Sequence, residues 1–151
     1  MTAWSLFVAG EPKSTQTGSI MRMANGRAFP RYRNTDWSNR IALAAAAARP
    51  PALLDGALKA TLTFTRARPR SLPKRVDYPT TRPDLENYTK KLFDALTGIV
   101  YRDDAQLVEI RLCKRFGDAP GVEIRVEKVP PLAALSLVAA LYDARPLEVL
   151  P

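Results

Sequence analysis

Residues Pro83 to Leu96 read PDLENYTKKLFDAL, and VYRDDAQ follows at Val100 to Gln106. Asp84, Glu86, Asp94, Asp103 and Asp104 fall within 21 residues, although the chain has only 15 acids and a formal charge of +8. Pro83 disfavours helical geometry at Arg82 and suits the first turn of a helix. From there Leu85, Tyr88, Leu92, Ala95 and Leu96 recur at helical spacing, with Glu86, Asn87, Lys90, Lys91 and Asp94 on the opposite arc. The pattern predicts one amphipathic helix over 85–96, with Asp84 and Glu86 at its entrance. Each acid also has a modest structural reading. Asp84 as an N-cap contributes about 1 kcal/mol. Glu86 and Lys90 as an i, i+4 pair contribute about 0.3–0.5 kcal/mol. Asp103-Asp104 suits a turn before a strand.

The regions around this stretch supply a sheet. Ala3–Ala9 reads as a first strand. Ser14–Ser19 reads as a polar loop, and Asn25-Gly26 as a hairpin turn between Met21–Ala24 and Arg27–Phe29. A helix capped by Asn34 or Thr35 runs from about Asp36 to Ala48 and is stopped by Pro50-Pro51. Leu58, Ala60, Leu62 and Phe64 alternate with Lys59, Thr61, Thr63 and Thr65, as in a half-buried strand. Gln106–Lys114 alternates with Val108, Ile110 and Leu112 on one face. Val122, Ile124 and Val126 alternate with Glu123, Arg125 and Glu127. With Gly117–Gly121 as the turn, these two runs read as an antiparallel hairpin. An apolar helix over Leu132–Tyr142 and a proline-containing tail complete the chain. The expectation is an α+β domain over 1–129, with a mixed, largely antiparallel sheet packed by two main helices, and a C-terminal helical extension over 130–151.

Composition narrows the chemistry. With no histidine and one cysteine, Ser-His-Asp and Cys-His nucleophilic sites are excluded, as are zinc sites built on these ligands. Clustered carboxylates without histidine favour Mg²⁺, with Mn²⁺ as the alternative. Carboxylates that converge raise each other's pKa unless a cation lies between them. No apolar run approaches the roughly 18–20 residues of a bilayer span. No signal peptide is expected, and the lone Cys113, read as a small buried hydrophobe, suits a reducing cytoplasm.

The charge is uneven: residues 1–82 carry a net +10 and residues 83–151 a net −2. A polyanionic partner accounts for the first half. Arg22, Arg27, Arg31 and Arg33 lie on or after the hairpin. Arg66, Arg68, Arg70, Lys74, Arg75 and Arg82 lie on a three-proline loop that leads into the acidic stretch. These are the expected phosphate contacts. Tyr32 and Tyr78 are candidates to stack on bases, whereas Trp37 suits the core. A basic groove beside a carboxylate metal site is the electrostatic layout of a nuclease.

Arg82-Pro83-Asp84, Glu86-Asn87, Lys90, Asp94-Ala95-Leu96 and Asp103-Asp104-Ala105-Gln106 together resemble the signature of the RusA-type Holliday junction resolvases, a family common in phages and prophages. The resemblance covers about residues 3–129. It implies a Mg²⁺-dependent endonuclease acting on four-way DNA as a homodimer, through metal-activated water attack, in the bacterial cytoplasm and away from membranes. It carries Asp84, Glu86 and Asp104 over as essential acids, Lys90 as the assisting lysine and Asp103 as a neighbour of the metal site. Where the family usually has Asp, this chain has Glu86, one methylene longer. A flap- or fork-preferring nuclease, or a non-catalytic branched-DNA-binding protein on the same scaffold, are the alternatives.

Overall fold

In the computed structural model, residues 3–14, 17–32 and 35–132 are described. The elements are β1 (Ala3–Ala9), β2 (Thr17–Arg22), β3 (Ala28–Tyr32), α1 (Thr35–Ala47), β4 (Leu58–Ala67), α2 (Leu85–Thr89), α3 (Leu92–Leu96), β5 (Leu107–Gly117) and β6 (Gly121–Lys128). The main sheet has the order β1-β6-β4-β5, and β2 and β3 form a separate hairpin. Pairing is antiparallel for β1–β6 and β6–β4, and parallel for β4–β5. A small α+β domain with a mixed sheet is therefore present. Arg33, Asn34 and the expected helix beyond Leu132 lie outside the described residues.

Helices cover one face of the sheet. Alternation turns Leu58, Ala60, Leu62 and Phe64 of β4 inward, all fully buried, beside Val122, Ile124 and Val126 of β6. Trp4 and Val8 of β1 join them, and Trp37, Ile41 and Ala45 of α1 close the layer. Trp37 is thus a core residue. The Trp4 indole N–H donates to the Ala48 carbonyl at 2.7 Å and fixes the end of α1 against β1. The opposite face carries the ion pairs Lys59–Glu109, Arg115–Glu123 and Arg125–Glu127.

The β2–β3 hairpin turns at Asn25-Gly26, as expected. Gly26 has φ +80°, and Arg27 N–H donates to Asn25 Oδ1 at 3.1 Å. One expectation shifts, because Thr17–Ser19 belongs to β2 rather than to a loop.

Two larger expectations are corrected. First, β5 and β6 do not form a hairpin, because β4 lies between them. The three residues 118–120 pass over the end of β4, and two glycines make this close crossing possible. A Cβ on Gly117 would stand 2.7 Å from Thr65 Cγ2, and one on Gly121 would stand 2.6 Å from the Val8 carbonyl oxygen and 2.5 Å from the Phe7 ring. As the edge strand, β5 leaves Val108 63 % and Ile110 47 % exposed, and its apolar face is covered only in part, at Leu107 and Leu112.

Second, the expected helix over 85–96 is two five-residue helices, broken at Lys90-Lys91. Thr89 Oγ1 donates back to the Glu86 carbonyl at 2.8 Å, a contact that competes with the helical ladder. Lys91 then takes φ −114° and ψ −5°, outside the helix. The buried stripe of Tyr88, Leu92 and Leu96 keeps its spacing across the break.

Two tyrosines anchor this segment. Tyr88 stacks on Phe64 with centroids 4.8 Å apart. The Tyr101 hydroxyl donates to the Phe93 carbonyl at 3.0 Å. Burial raises the pKa of both hydroxyls. For Tyr101, Asp104 and Asp94 add to the rise; for Tyr88, Arg66 opposes it and Glu11 adds to it.

Gly121→Ala is expected to lower stability by about 1–3 kcal/mol in urea titration, because the added methyl meets backbone. The tyrosines give a pH prediction. Their protonated forms are favoured only in the folded state, so their stabilisation is complete below pH ~10 and is lost as pH rises further. Absorbance titration should show Tyr88 and Tyr101 ionising only together with alkaline unfolding.

Candidate active site

The expected acids, Lys90 and five of the expected cations sit in the connection between β4 and β5, residues 68–106. The basic loop leaves β4 at Ala67. It is tied to the sheet where Phe116 N–H donates to the Asp77 carbonyl at 2.8 Å. Arg68 knits the loop together. Its Nη1 donates to the carbonyls of Pro73 and Val76, its Nη2 lies 3.6 Å from Asp77, and its guanidinium lies over the Phe116 ring. Arg66 is held in the same way, with Nε 3.6 Å from Glu11 and Nη1 donating to the Arg82 carbonyl. Glu11 in turn accepts from Ala67 N–H at 2.9 Å. Of the ten cations expected to meet phosphate, Arg66 and Arg68 are thus partly occupied within the protein. Arg70, Lys74, Arg75 and Arg82 are exposed on the loop, and Arg22 and Arg27 are exposed on the hairpin. Arg31 lies in β3, but its side chain and the whole of Arg33 fall outside what is described. Tyr78 is 62 % exposed on the loop.

The loop ends at the cis Arg82–Pro83 bond. Asp84 follows in an extended conformation (φ −71°, ψ 150°) as the residue before α2. Its side chain makes no capping bond, so its carboxylate does not have the capping role available to it. Glu86 and Lys90 are exposed on and after α2. They form no ion pair with each other, although Lys90 keeps helical dihedrals as the residue that ends α2. Asp94 is exposed on α3.

The second acidic group is built differently. Asp103 Oδ1 accepts from Ala105 N–H at 2.9 Å, and Gln106 Oε1 accepts from the N–H groups of Arg102 and Asp103 at 2.9 and 3.1 Å. This capping box shapes the 3₁₀ turn Asp104–Gln106 before β5. Gln106 Nε2 also donates to the carbonyls of Leu54 and Gly56, each at 3.2 Å, tying the turn to the body of the domain. Asp103 and Gln106 therefore hold the turn in shape, and Asp104 is the carboxylate it presents to solvent.

The two groups lie toward opposite ends of β5. Lys114 Nζ donates to the carbonyls of Thr81 and Pro83, both at 3.0 Å, so Asp84 belongs near the Lys114 end. Asp103 and Asp104 immediately precede Leu107. Lys114 stands seven positions along β5 from Leu107, a strand length of about 23 Å at ~3.3 Å per residue. Among the described residues, no group of three or more Asp, Glu or Cys is placed to hold one metal ion. Asp84, Glu86 and Asp104 are exposed, and their side chains make no hydrogen bond or ion pair with described residues. Three free carboxylates are the donor chemistry of a hard divalent cation, although one chain does not gather them.

Glu11 and Lys114 were missed in the sequence reading. Glu11 carried no local signal. Lys114 did carry one, because it stands on the same face of β5 as Leu112, where the alternation calls for an apolar residue.

The long crossover of a four-stranded mixed sheet thus carries exposed acids beside a cationic loop. The chain belongs to the endodeoxyribonuclease RusA family, whose sequence model matches residues 9–127. It is also 30 % identical over 136 residues to the uncharacterized protein YqaN of Bacillus subtilis (strain 168), an alignment that covers 81 % of this chain and 94 % of that one. The family is one of DNA endonucleases. Among the described residues, no helix is long and apolar enough to cross a membrane.

The different work of the two adjacent aspartates can be measured. Asp103→Ala should lower stability by about 1 kcal/mol through loss of the cap. Asp104→Ala, on an exposed carboxylate without a partner, should change stability by less than about 0.5 kcal/mol. Parallel urea titrations check both.

Proposed function

We propose that the protein is a structure-selective endonuclease that resolves four-way DNA junctions by paired nicks, acts as a homodimer and uses Mg²⁺. The observation that carries this reading is the set of free carboxylates on the crossover, Asp84 and Glu86 near its middle and Asp104 near its end, in a family of endodeoxyribonucleases. Within one chain the two groups are held apart, so the reading places Asp104 of one protomer beside Asp84 and Glu86 of the other. A two-fold dimer then has two equivalent sites, matching the approximate two-fold symmetry of a four-way junction. The unpaired edge of β5, with exposed Val108 and Ile110, offers such a dimer an apolar seam.

In this scheme each residue has a distinct task. Arg70, Lys74, Arg75 and Arg82 hold the DNA backbone, helped by Arg22 and Arg27 on the hairpin. Binding should therefore weaken with salt at a log–log slope of about −0.9 per phosphate neutralised. Asp84, Glu86 and Asp104 hold the divalent cation, with Asp103 setting the orientation of Asp104. When bound, that cation supplies Lewis acidity toward a phosphoryl oxygen and lowers the pKa of its water. The exposed Lys90 ammonium approaches the phosphate and offsets negative charge that develops as the P–O bond breaks. Glu86 keeps the charge of the usual aspartate but reaches one methylene further, which alters the preference between Mg²⁺ and Mn²⁺. Tyr78, exposed on the loop, stacks at the branch point.

Mixing two inactive variants tests the shared site. Asp84→Asn and Asp104→Asn should each bind a synthetic four-way junction but fail to cleave it in Mg²⁺. A mixed dimer has one fully intact site if the acids come from different protomers, and none if they come from the same one. Recovery of single-strand nicking on mixing is the expected result. Wild-type cleavage by either variant alone would remove that residue from the site, and no recovery on mixing would refute the cross-protomer arrangement.

A further inference from the structure

Lys114 is placed where the β5 pattern calls for an apolar side chain. It pairs in register with the fully buried Phe64, two positions after the half-buried Leu112 that faces the helices. A cation at a half-buried position on an apolar face is costly unless its ammonium reaches polar partners. Here it reaches two. Nζ donates at 3.0 Å to the carbonyl of Thr81 and at 3.0 Å to that of Pro83. Hydrogen bonds from a charged donor are about twice as strong as neutral ones. These two clasp the chain on either side of Arg82, and the second acceptor is the residue directly before Asp84.

The neighbouring contacts have the same sense. Arg66 Nη1 donates to the carbonyl of Arg82, so three successive carbonyls at 81, 82 and 83 are held by cations from β4 and β5. The residue that emerges from this grip is Asp84, extended and without a capping bond, followed by the first turn of α2 with Asn87 N–H donating to the Asp84 carbonyl at 3.1 Å. A five-residue helix is too short to hold its own entrance rigid. The position of Asp84 is therefore set by the strands through Lys114, and not by α2.

We propose that Lys114 is a positioning residue of the nuclease site: its ammonium fixes the Thr81–Pro83 backbone to β5, and so fixes the carboxylate of Asp84 relative to the DNA. It touches neither the phosphate nor the cation. The inference rests on the nuclease reading above and names a residue outside the acidic motif. Catalytic groups displaced by about 1 Å lose on the order of 10²-fold in rate, so a distortion confined to this backbone should reduce chemistry while leaving junction binding intact. Arginine also presents two N–H groups to neighbouring acceptors and is the conservative replacement.

The test compares the full-length wild type, Lys114→Met and Lys114→Arg in three measurements. These are single-turnover cleavage of a synthetic four-way junction in Mg²⁺, junction binding in EDTA, and amide hydrogen exchange of the segment 81–88. Lys114→Met is expected to slow cleavage at least tenfold at saturating protein, to change junction affinity less than about threefold, and to speed exchange in 81–88. Lys114→Arg is expected to recover most of the cleavage rate and the protection. Unchanged exchange together with a wild-type cleavage rate in Lys114→Met would overturn the proposal. A fall in junction affinity as large as the fall in cleavage would also overturn it, by making Lys114 a phosphate contact. So would a loss that Lys114→Arg does not restore in either measurement. If the wild type fails to cleave the junction, the nuclease reading fails, and exchange in 81–88 alone decides whether Lys114 orders this backbone.

Discussion

The parallel pairing of β4 with β5 is the constraint from which the rest of the architecture follows. Antiparallel neighbours can be joined by two residues, but a parallel pair needs a connection that travels the full length of the sheet. Here that connection is residues 68–106, and it holds the cationic loop, both short helices and both acidic groups. Because it starts at the C-terminal end of β4 and finishes at the N-terminal start of β5, its first and last segments are necessarily far apart. Asp104 lies near the finish, whereas Asp84 lies near the middle of the connection. Asp84 is held toward the far end of β5 by the contacts of the Thr81–Pro83 backbone with Arg66 and Lys114.

Residues adjacent in the motif do unlike work. Asp103 and Gln106 meet backbone groups and define a turn, while Asp104 between them meets none. Arg66 and Arg68 hold loop carbonyls, while Arg70, Lys74 and Arg75 are free to meet an anion. The residues that shape the backbone use short-range hydrogen bonds, each a contribution of about 1 kcal/mol. Their effect is to leave neighbouring charged groups in defined positions without neutralising them. The basic loop thereby becomes an ordered surface with free cations on it, even though it is rich in proline and contains no helix or strand.

Much of this was legible in the sequence, for identifiable reasons. Alternation gave the buried faces of β4 and β6, because inward and outward positions differ sharply in Leu58–Thr65 and Val122–Glu127. Asn25-Gly26 gave the hairpin, because its turn demands a residue that tolerates positive φ. The pairing of β5 was not legible. Alternation specifies which face of a strand is covered but not which strand lies beside it, and the short Gly117–Gly121 link imitates a hairpin while in fact passing over β4. The break at Lys90 was hidden because Tyr88, Leu92 and Leu96 keep helical spacing through it. In the site, the acids stood out by their concentration. Lys114 was passed over because a single polar residue at the end of an apolar alternation resembles the end of the buried run, and only its partners at 81 and 83 show otherwise.

The electrostatics of the acidic groups follow from what they leave unpaired. The chain has 23 Lys and Arg against 15 Asp and Glu, so partners for carboxylates are abundant. Glu11, Asp77, Glu109, Glu123 and Glu127 all take one. Asp84, Glu86 and Asp104 take none among the described residues, although Arg82 and Lys90 are close in sequence. An exposed ion pair contributes about 0–1 kcal/mol, so leaving these acids unpaired costs the fold little. In the proposed site, an arginine bound to one of these carboxylates would have to be displaced before a metal cation could bind. Arg66 and Arg68 divide their guanidinium groups between backbone carbonyls and the acids Glu11 and Asp77, which lie outside the motif. Among the described residues these three acids share that state with Asp36, Asp55, Asp94, Asp103 and Asp118, which also form no ion pair; what sets the three apart is their place beside the cationic loop and in the matched motif.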